Sequence, residues 1–248
     1  MLSKNQIKKL RGLQRKKERT SSGLYIVEGK KIVEEVINSS SPWVALYATS
    51  TWFQSHTEYL SQENCFEVSE KDLELVSSLK TPNEVLLVLK QNDSGVFSDV
   101  MTEDLVMALD GVKDPGNMGT IIRLADWFGV KHILCTSDSV DQYNPKTVQS
   151  AMGSIDRVQL HYGDLEVMLK SLNTHQIYAC DLDGDSVYTS KFYDKSILVM
   201  GSESHGISNE ILQLANHKIT IPNFSSSSID SLNVATATAI VLSSFRSK

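Results

Sequence analysis

The stretch Leu105-Val106-Met107-Ala108-Leu109-Asp110-Gly111-Val112-Lys113-Asp114-Pro115-Gly116-Asn117-Met118-Gly119-Thr120 decides the fold. Five consecutive apolar residues read as a strand buried on both faces, the pattern of a parallel sheet. The loop that follows is rich in Gly, Pro and Asn, which permit a tight turn and expose backbone N–H groups at a helix start. A helix is predicted over 117–128, with Ile121, Leu124, Ala125 and Phe128 spaced i, i+3, i+4, i+7 as its apolar stripe. Arg123 lies off that stripe, about one turn from the loop, where it could face a ligand or simply solvent.

Downstream the same alternation repeats. Ile133–Thr136, Val158–His161, Ile177–Leu182, Ile197–Met200 and Lys218–Ile221 read as strands. Helices are predicted from Asn144-Pro145 to about Met152, over Leu165–Leu172, over Asn209–Ala215 and over Ser231–Phe245. Short apolar strands between helices imply an α/β fold, a mostly parallel sheet with helices on both faces. Upstream, Leu24–Val27, Val44–Ala48 and Glu84–Leu89 read as strands, and Lys30–Ile37 and Asp72–Leu79 as helices. These form a small α/β domain over 1–92, and the polar stretch 91–99 is a linker to a second domain over 99–248. The tract Ser225–Ser228 reads as loop.

Composition bounds the partners. The chain has 248 residues, 41% hydrophobic and 22% charged, ordinary for a folded protein and unlike a disordered one. No apolar run approaches the roughly 20 residues of a membrane span, and no apolar stretch follows the basic N-terminus as in a secretory signal. Cys65, Cys135 and Cys180 are odd in number and scattered, which suits a reducing, cytoplasmic setting. The net charge of −6 hides an asymmetry. Residues 1–22 carry Lys4, Lys8, Lys9, Arg11, Arg15, Lys16, Lys17 and Arg19 against one acid, Glu18. That segment is therefore +7 and the remainder −13. A basic segment on an acidic body suits an anionic partner, although a solvated helix face has the same composition.

Ligands of parallel sheets bind in loops at the carboxyl ends of strands. Three such loops are candidates. The first, 110–119, is weakly similar to a P-loop, but Met118-Gly119-Thr120 stands where Gly-Lys-Ser/Thr should be; only Gly116 and Gly119 fit a dinucleotide fingerprint. A nucleotide-binding oxidoreductase is accordingly disfavoured. The second is Gly201-Ser202-Glu203-Ser204-His205-Gly206, which places a Glu after a buried strand. His205 has no partner at ligand spacing, so a surface His is expected there and no metal. The third runs from Pro222 to Asn233, where Asp230, Ser231 and Asn233 could equally cap the closing helix.

Taken in order, Asp114–Gly129, Gly201–Ser208 and Ile221–Ala235 resemble the three motifs of the SpoU (TrmH-type) RNA ribose methyltransferases of the SPOUT superfamily. Tyr143-Asn144-Pro145-Lys146 and Ala151–Ile155 also look like family sequence, and residues 1–90 resemble the substrate-binding domain that often precedes the catalytic one. Ser204, Asn223 and Gln149 depart from the common pattern, where Gly, Met and Arg are usual, and the segment between Pro222 and Ser231 is about two residues longer.

The resemblance implies S-adenosylmethionine as methyl donor, a ribose 2′-hydroxyl of RNA as acceptor, a homodimer and a C-terminal trefoil knot. It places Asn117, Arg123, Glu203, Ser231 and Asn233 at the RNA-facing catalytic site, and Gly201, Ile221 and Leu232 at the cofactor. Ribosomal RNA is the expected substrate; transfer RNA, or a catalytically silent RNA-binding or ribosome-assembly role, are the alternatives. The family assigns proton acceptance to Arg123; a guanidinium is a donor without an acceptor, so it could serve only with a strongly lowered pKa or with a phosphate or water taking the proton, and orienting the ribose and its phosphate is the alternative role.

Overall fold

The computed structural model describes residues 1–39, 41–79, 81, 83–92, 97–225 and 231–247. Two compact units are present: Met1–Asn92 with Tyr143–Asp156, and Asp93–Gln142 with Arg157–Lys248. The expected loop residues Ser226–Ser228, the candidate cap Asp230 and residues 93–96 of the polar linker fall outside the described residues.

The first unit runs α1 (Lys4–Gly12), α2 (Lys16–Ser22), β1 (Leu24–Glu28), α3 (Lys30–Asn38), β2 (Trp43–Ala48), α4 (Ser50–Gln54), β3 (Cys65–Glu67), α5 (Glu70–Val76) and β4 (Val85–Lys90). Its sheet has the order β1-β4-β2-β3. β4 is antiparallel to both neighbours, and β2 is parallel to β3. The basic N-terminal segment is not a loose arm. Ser3 and Gln6 form a capping box that starts α1. Leu2, Leu10 and Leu13 are buried in the same core as Tyr47, Leu73 and Leu86. Arg19 is only 2% exposed, and its guanidinium donates to the carbonyls of Leu13 and Gln14 at 2.9 Å each. Of the eight cations counted there, Arg19 is therefore a structural group, and seven face solvent.

The second unit runs β5 (Leu105–Asp110), α6 (Pro115–Trp127) and β6 (His132–Thr136); the chain then contributes α7 (Pro145–Ala151) to the first unit. It continues through β7 (Gln159–Gly163), α8 (Leu165–Ser171), β8 (Gln176–Ser186), β9 (Ser196–Gly201), α9 (Asn209–Leu212), β10 (His217–Thr220) and α10 (Val234–Arg246). All six strands are parallel, in the order β10-β8-β9-β5-β6-β7. Val106 and Ala108 of β5 pack with Leu165 and Leu169 of α8 and Ile211 of α9. On the other side α10 lies against α6 and β9, so helices cover both faces as the sequence predicts.

Tyr143–Asp156 completes the first unit. The Tyr143 ring lies 4.6 Å from that of Tyr25, and its hydroxyl accepts from the Asn92 N–H at 2.8 Å. Gln149 donates to the Glu28 carbonyl at 2.8 Å, so this residue serves the packing of α7 on β1.

Several expectations shift. The fully buried face of α6 is Met118, Ile121, Ile122 and Ala125, while Leu124 and Phe128 are half-buried. Arg246 at the end of α10 donates to the Phe128 carbonyl at 2.8 Å, so that edge of α6 meets another helix rather than the sheet. The closing helix starts at Val234, not Ser231, because Asn233 caps it. β8 extends past Leu182 to Ser186 through Asp183 and Asp185, charged residues that do not read as strand.

Candidate active site

The strand order reverses between β5 and β9. From β5 the chain proceeds to β6 and β7 on one side; β8, β9 and β10 lie on the other. Asp110 and Gly201, the last residues of β5 and β9, pair directly across this switch point. A crevice outside the carboxyl ends of strands at such a point is the usual ligand site of open α/β sheets.

Two clamps hold the loops there. Asp114 caps α6, its carboxylate accepting the Asn117 N–H at 2.8 Å, with Pro115 pre-set in the first turn. Asp110 Oδ2 accepts both the N–H and the hydroxyl of Ser208, each at 2.7 Å. The second clamp fixes the exit of the β9 loop to the end of β5. Within that loop Ser202 and Gly206 exchange backbone hydrogen bonds of 2.9 and 3.0 Å. Gly206 turns at φ +67°, a conformation that favours glycine. Gly201 must be glycine for another reason: a Cβ would sit 2.2 Å from the Gly206 carbonyl carbon. The absent side chain is thus required by the loop's own backbone, which packs over Gly201.

The clamped loops bring three expected residues together. Asn117 Nδ2 donates to Glu203 Oε1 in a short hydrogen bond, and Asn233 Nδ2 donates to Asn117 Oδ1 at 2.9 Å. Asn233 Oδ1 accepts the N–H groups of Ala235 and Thr236 at 3.0 and 3.2 Å, capping α10. The chain Glu203–Asn117–Asn233 thus fixes each amide's orientation and ties all three motifs to one edge of the sheet. It ends on a helix N-terminus, which favours negative charge nearby.

Arg123 is exposed, with no hydrogen-bond or ion-pair partner among the described residues. Ser231 and Leu232 precede the α10 cap and are also exposed. Ile221 follows β10 and is half-buried. Neither Ile221 nor Leu232 engages its backbone N–H or carbonyl with another described residue. His205 is a surface residue as expected, its ring nitrogen 2.7 Å from the Ser204 hydroxyl. Asp110 and Ser208 were not among the expected site residues. The one trace of Asp110 in the sequence is a carboxylate at the end of a buried strand; nothing local announces its partner 98 residues away.

Burial pushes the Cys135 and Cys180 thiols up, Cys180 to about 12, so neither suits a nucleophile. No cluster of three or more metal-ligating side chains occurs among the described residues. No helix among them is long and apolar enough to cross a membrane.

The parallel sheet, its switch point between β5 and β9 and the three-loop polar chain define an α/β protein with a candidate site at the carboxyl ends of β5 and β9. The SpoU rRNA Methylase family model matches residues 104–243, and an MRM3-like substrate binding domain matches residues 4–87. The chain belongs to the SpoU rRNA methylase family. It is 29% identical over 247 residues to 23S rRNA (guanosine(2553)-2′-O)-methyltransferase RlmP of Bacillus subtilis, covering 97% of this chain and 96% of that protein. A TrmH-family protein from Porphyromonas gingivalis superposes with a TM-score of 0.85 at 35% identity, over 100% of both chains. An AdoMet-bound rRNA methyltransferase from Sinorhizobium meliloti gives 0.87 at 27% identity, over 100% of this chain and 97% of that one.

Proposed function

We propose that this protein transfers the methyl group of S-adenosylmethionine to a ribose 2′-hydroxyl of ribosomal RNA. The observation that carries the reading is the Glu203–Asn117–Asn233 hydrogen-bond chain, with Arg123, exposed and without a partner among the described residues, on the same helix α6 as Asn117. The residues present fit the donor. The unengaged backbone groups of Ile221 and Leu232, and the 48% exposed Leu232 side chain, offer edge hydrogen bonds and an apolar contact for a purine. When bound, S-adenosylmethionine supplies an electrophilic methyl group on a sulfonium.

The chain's own residues then align and hold the acceptor. Arg123, free to turn its fork, grips a phosphate beside the target ribose. Asn117 and Asn233, held in one orientation, present amide donors to the ribose, and Ser231 adds a hydroxyl at the same edge. Holding the hydroxyl in line with the methyl group supplies much of the rate. A C–O bond formed there would replace the donor's methyl–sulfur bond, whose electron pair would stay on sulfur as a neutral thioether, and the hydroxyl gives its proton to water at this open edge. An intact polar chain across all three motifs supports an active enzyme over a silent RNA-binding factor. The match of 4–87 to a substrate-binding domain, together with a whole-length relative named for 23S rRNA, supports ribosomal over transfer RNA.

The reading extends to a cytoplasmic homodimer, with 1–92 as the RNA-binding domain and 99–248 as a catalytic domain containing a trefoil knot. Trp127 at the end of α6 is 83% exposed, and Ile240 and Phe245 of α10 stay half-buried, apolar surface that a second copy would cover. The return of the chain from β10, at one sheet edge, to α10 on α6 supports the knot. An active species sedimenting at the mass of one chain would refute the dimer. The decisive experiment is mapping ribose methylation in RNA from cells with and without the gene. Loss of one rRNA 2′-O-methyl group is expected. Loss confined to tRNA would move the substrate, and no loss would overturn the activity.

A further inference from the structure

Between α1 and α2 lies a groove of about 310 Å³. Lys8, Lys9 and Arg15 line it, with Asn5 beside them, Leu13 as part of its wall and Glu18 as its single acid. All three cations are exposed. The groove is preformed: Leu10 and Leu13 are anchored in the core, and the buried Arg19 guanidinium pins the turn at Leu13 and Gln14 between the two helices. Cations on a rigid platform lose little freedom when an anion arrives.

Its chemistry selects the ligand. Among the described residues no aromatic ring lines the groove, so none of them can stack on a base there. Lys, Arg and an amide side chain suit phosphodiester oxygens, which fix register without reading sequence. Glu18 works against such a ligand. Its carboxylate pairs with Arg15 Nη2 at 3.5 Å, with side-chain exposures of 47% and 70%. Its stem rests over Gly12, where a Cβ would lie 3.5 Å from Glu18 Cγ. An exposed pair of this kind is worth little, so a phosphate can take Arg15 from it.

We propose that the α1–α2 groove binds the phosphate backbone of RNA, and that Glu18, by holding Arg15 and repelling phosphate, sets the affinity. This rests on the reading of the protein as an RNA-modifying enzyme. The site contributes to RNA capture and not to base selection.

The test uses the full chain and two labelled single-stranded RNA 12-mers of unrelated sequence, titrated across a range of salt. Lys8→Gln/Lys9→Gln should weaken both RNAs at least tenfold at low salt. It should also reduce the slope of log affinity against log salt by about 1.4, at roughly 0.7 per phosphate contact. Glu18→Gln should act in the opposite direction and tighten both RNAs about threefold. Lys170→Gln, an exposed cation of the second unit, should change neither slope nor affinity. S-adenosylmethionine affinity, read by calorimetry, should be the same in all variants. An unchanged slope in the lysine pair, no tightening in Glu18→Gln, an effect on one RNA only, or an equal effect from Lys170→Gln would each overturn the proposal. Failure of the methyltransferase reading shows separately, as no methyl incorporation by the unaltered protein, and leaves these binding results legible.

Discussion

Asp110 and Ser208 are 98 residues apart in sequence, yet one carboxylate oxygen of Asp110 accepts both the N–H and the hydroxyl of Ser208 at 2.7 Å. This contact fastens the base of the loop whose tip carries Glu203 to Asn117. Asp110→Ala should therefore loosen Glu203 without touching it. Loss of two hydrogen bonds to a charged group should cost about 2–3 kcal/mol of stability, and methyl transfer should fall at least tenfold. Ser208→Ala should cost less, because its N–H still reaches Asp110. In the double variant the two losses should not add, which urea melts and initial rates can read. Full additivity would refute the clamp.

Asn233 serves two ends of the site, and the two can be separated. Asn233→Asp keeps the acceptor that caps α10 but removes the donor to Asn117. Stability should stay within about 0.5 kcal/mol, while methyl transfer drops more than tenfold. Asn233→Ala loses both roles and should in addition cost about 1 kcal/mol of stability. Equal activity in the aspartate variant and the unaltered protein would show that only the cap matters.

Arg123 supports nothing in the fold, since it is exposed and unpartnered among the described residues. Arg123→Ala should leave the melting midpoint within about 0.5 kcal/mol of the original and S-adenosylmethionine affinity unchanged, yet abolish methyl transfer. Arg123→Lys should rescue little, because a point charge cannot replace a bidentate fork. Wild-type turnover in either variant would remove Arg123 from the site.

His132 and His161 form a buried pair, Nδ1 to Nε2 at 3.0 Å, on the neighbouring strands β6 and β7. Burial holds both imidazoles below the usual histidine range; Glu103 and Asp99 pull the His132 value up and Lys131 lowers it, while on His161 the His132 charge adds to the lowering and Asp99 opposes it. A group whose folded pKa is depressed takes up its proton first in the unfolded chain. Stability is then fully present above about pH 6.5 and declines as pH falls below it. The urea midpoint should be lower at pH 5.5 than at pH 7.5, and His132→Gln should flatten the difference. A midpoint that rises on acidification would contradict the pair's effect.

The order of elements from Leu105 to Phe245 was legible in the sequence because it is written locally. Short apolar runs mark strands buried on both faces, and Asn144-Pro145 marks a helix start, since caps and fixed φ act within one turn; the caps of α6 and α10, Asp114 and Asn233, lie three residues before and two after the starts read from the pattern. Sequence also fixed which residues are chemically able to serve: an off-stripe arginine, a carboxylate after a strand, an amide before a helix. The three-residue strand β3 and the five-residue α4 escaped, being too short for a period to show.

Only the tertiary structure decided which of these residues meet. Asn117 reaches Asn233 across 116 positions and Glu203 across 86, because β5 and β9 pair at the centre of the sheet. Strand order depends on how the whole set of helices and strands shares its buried faces, and no local window contains that. The same holds for Arg19, whose composition reads as one more surface cation until the turn at Leu13 and Gln14 supplies carbonyls for it. It holds again for Tyr143–Asp156, which follows β6 in the chain but packs on β1, since Tyr25 and the Glu28 carbonyl offer it partners there.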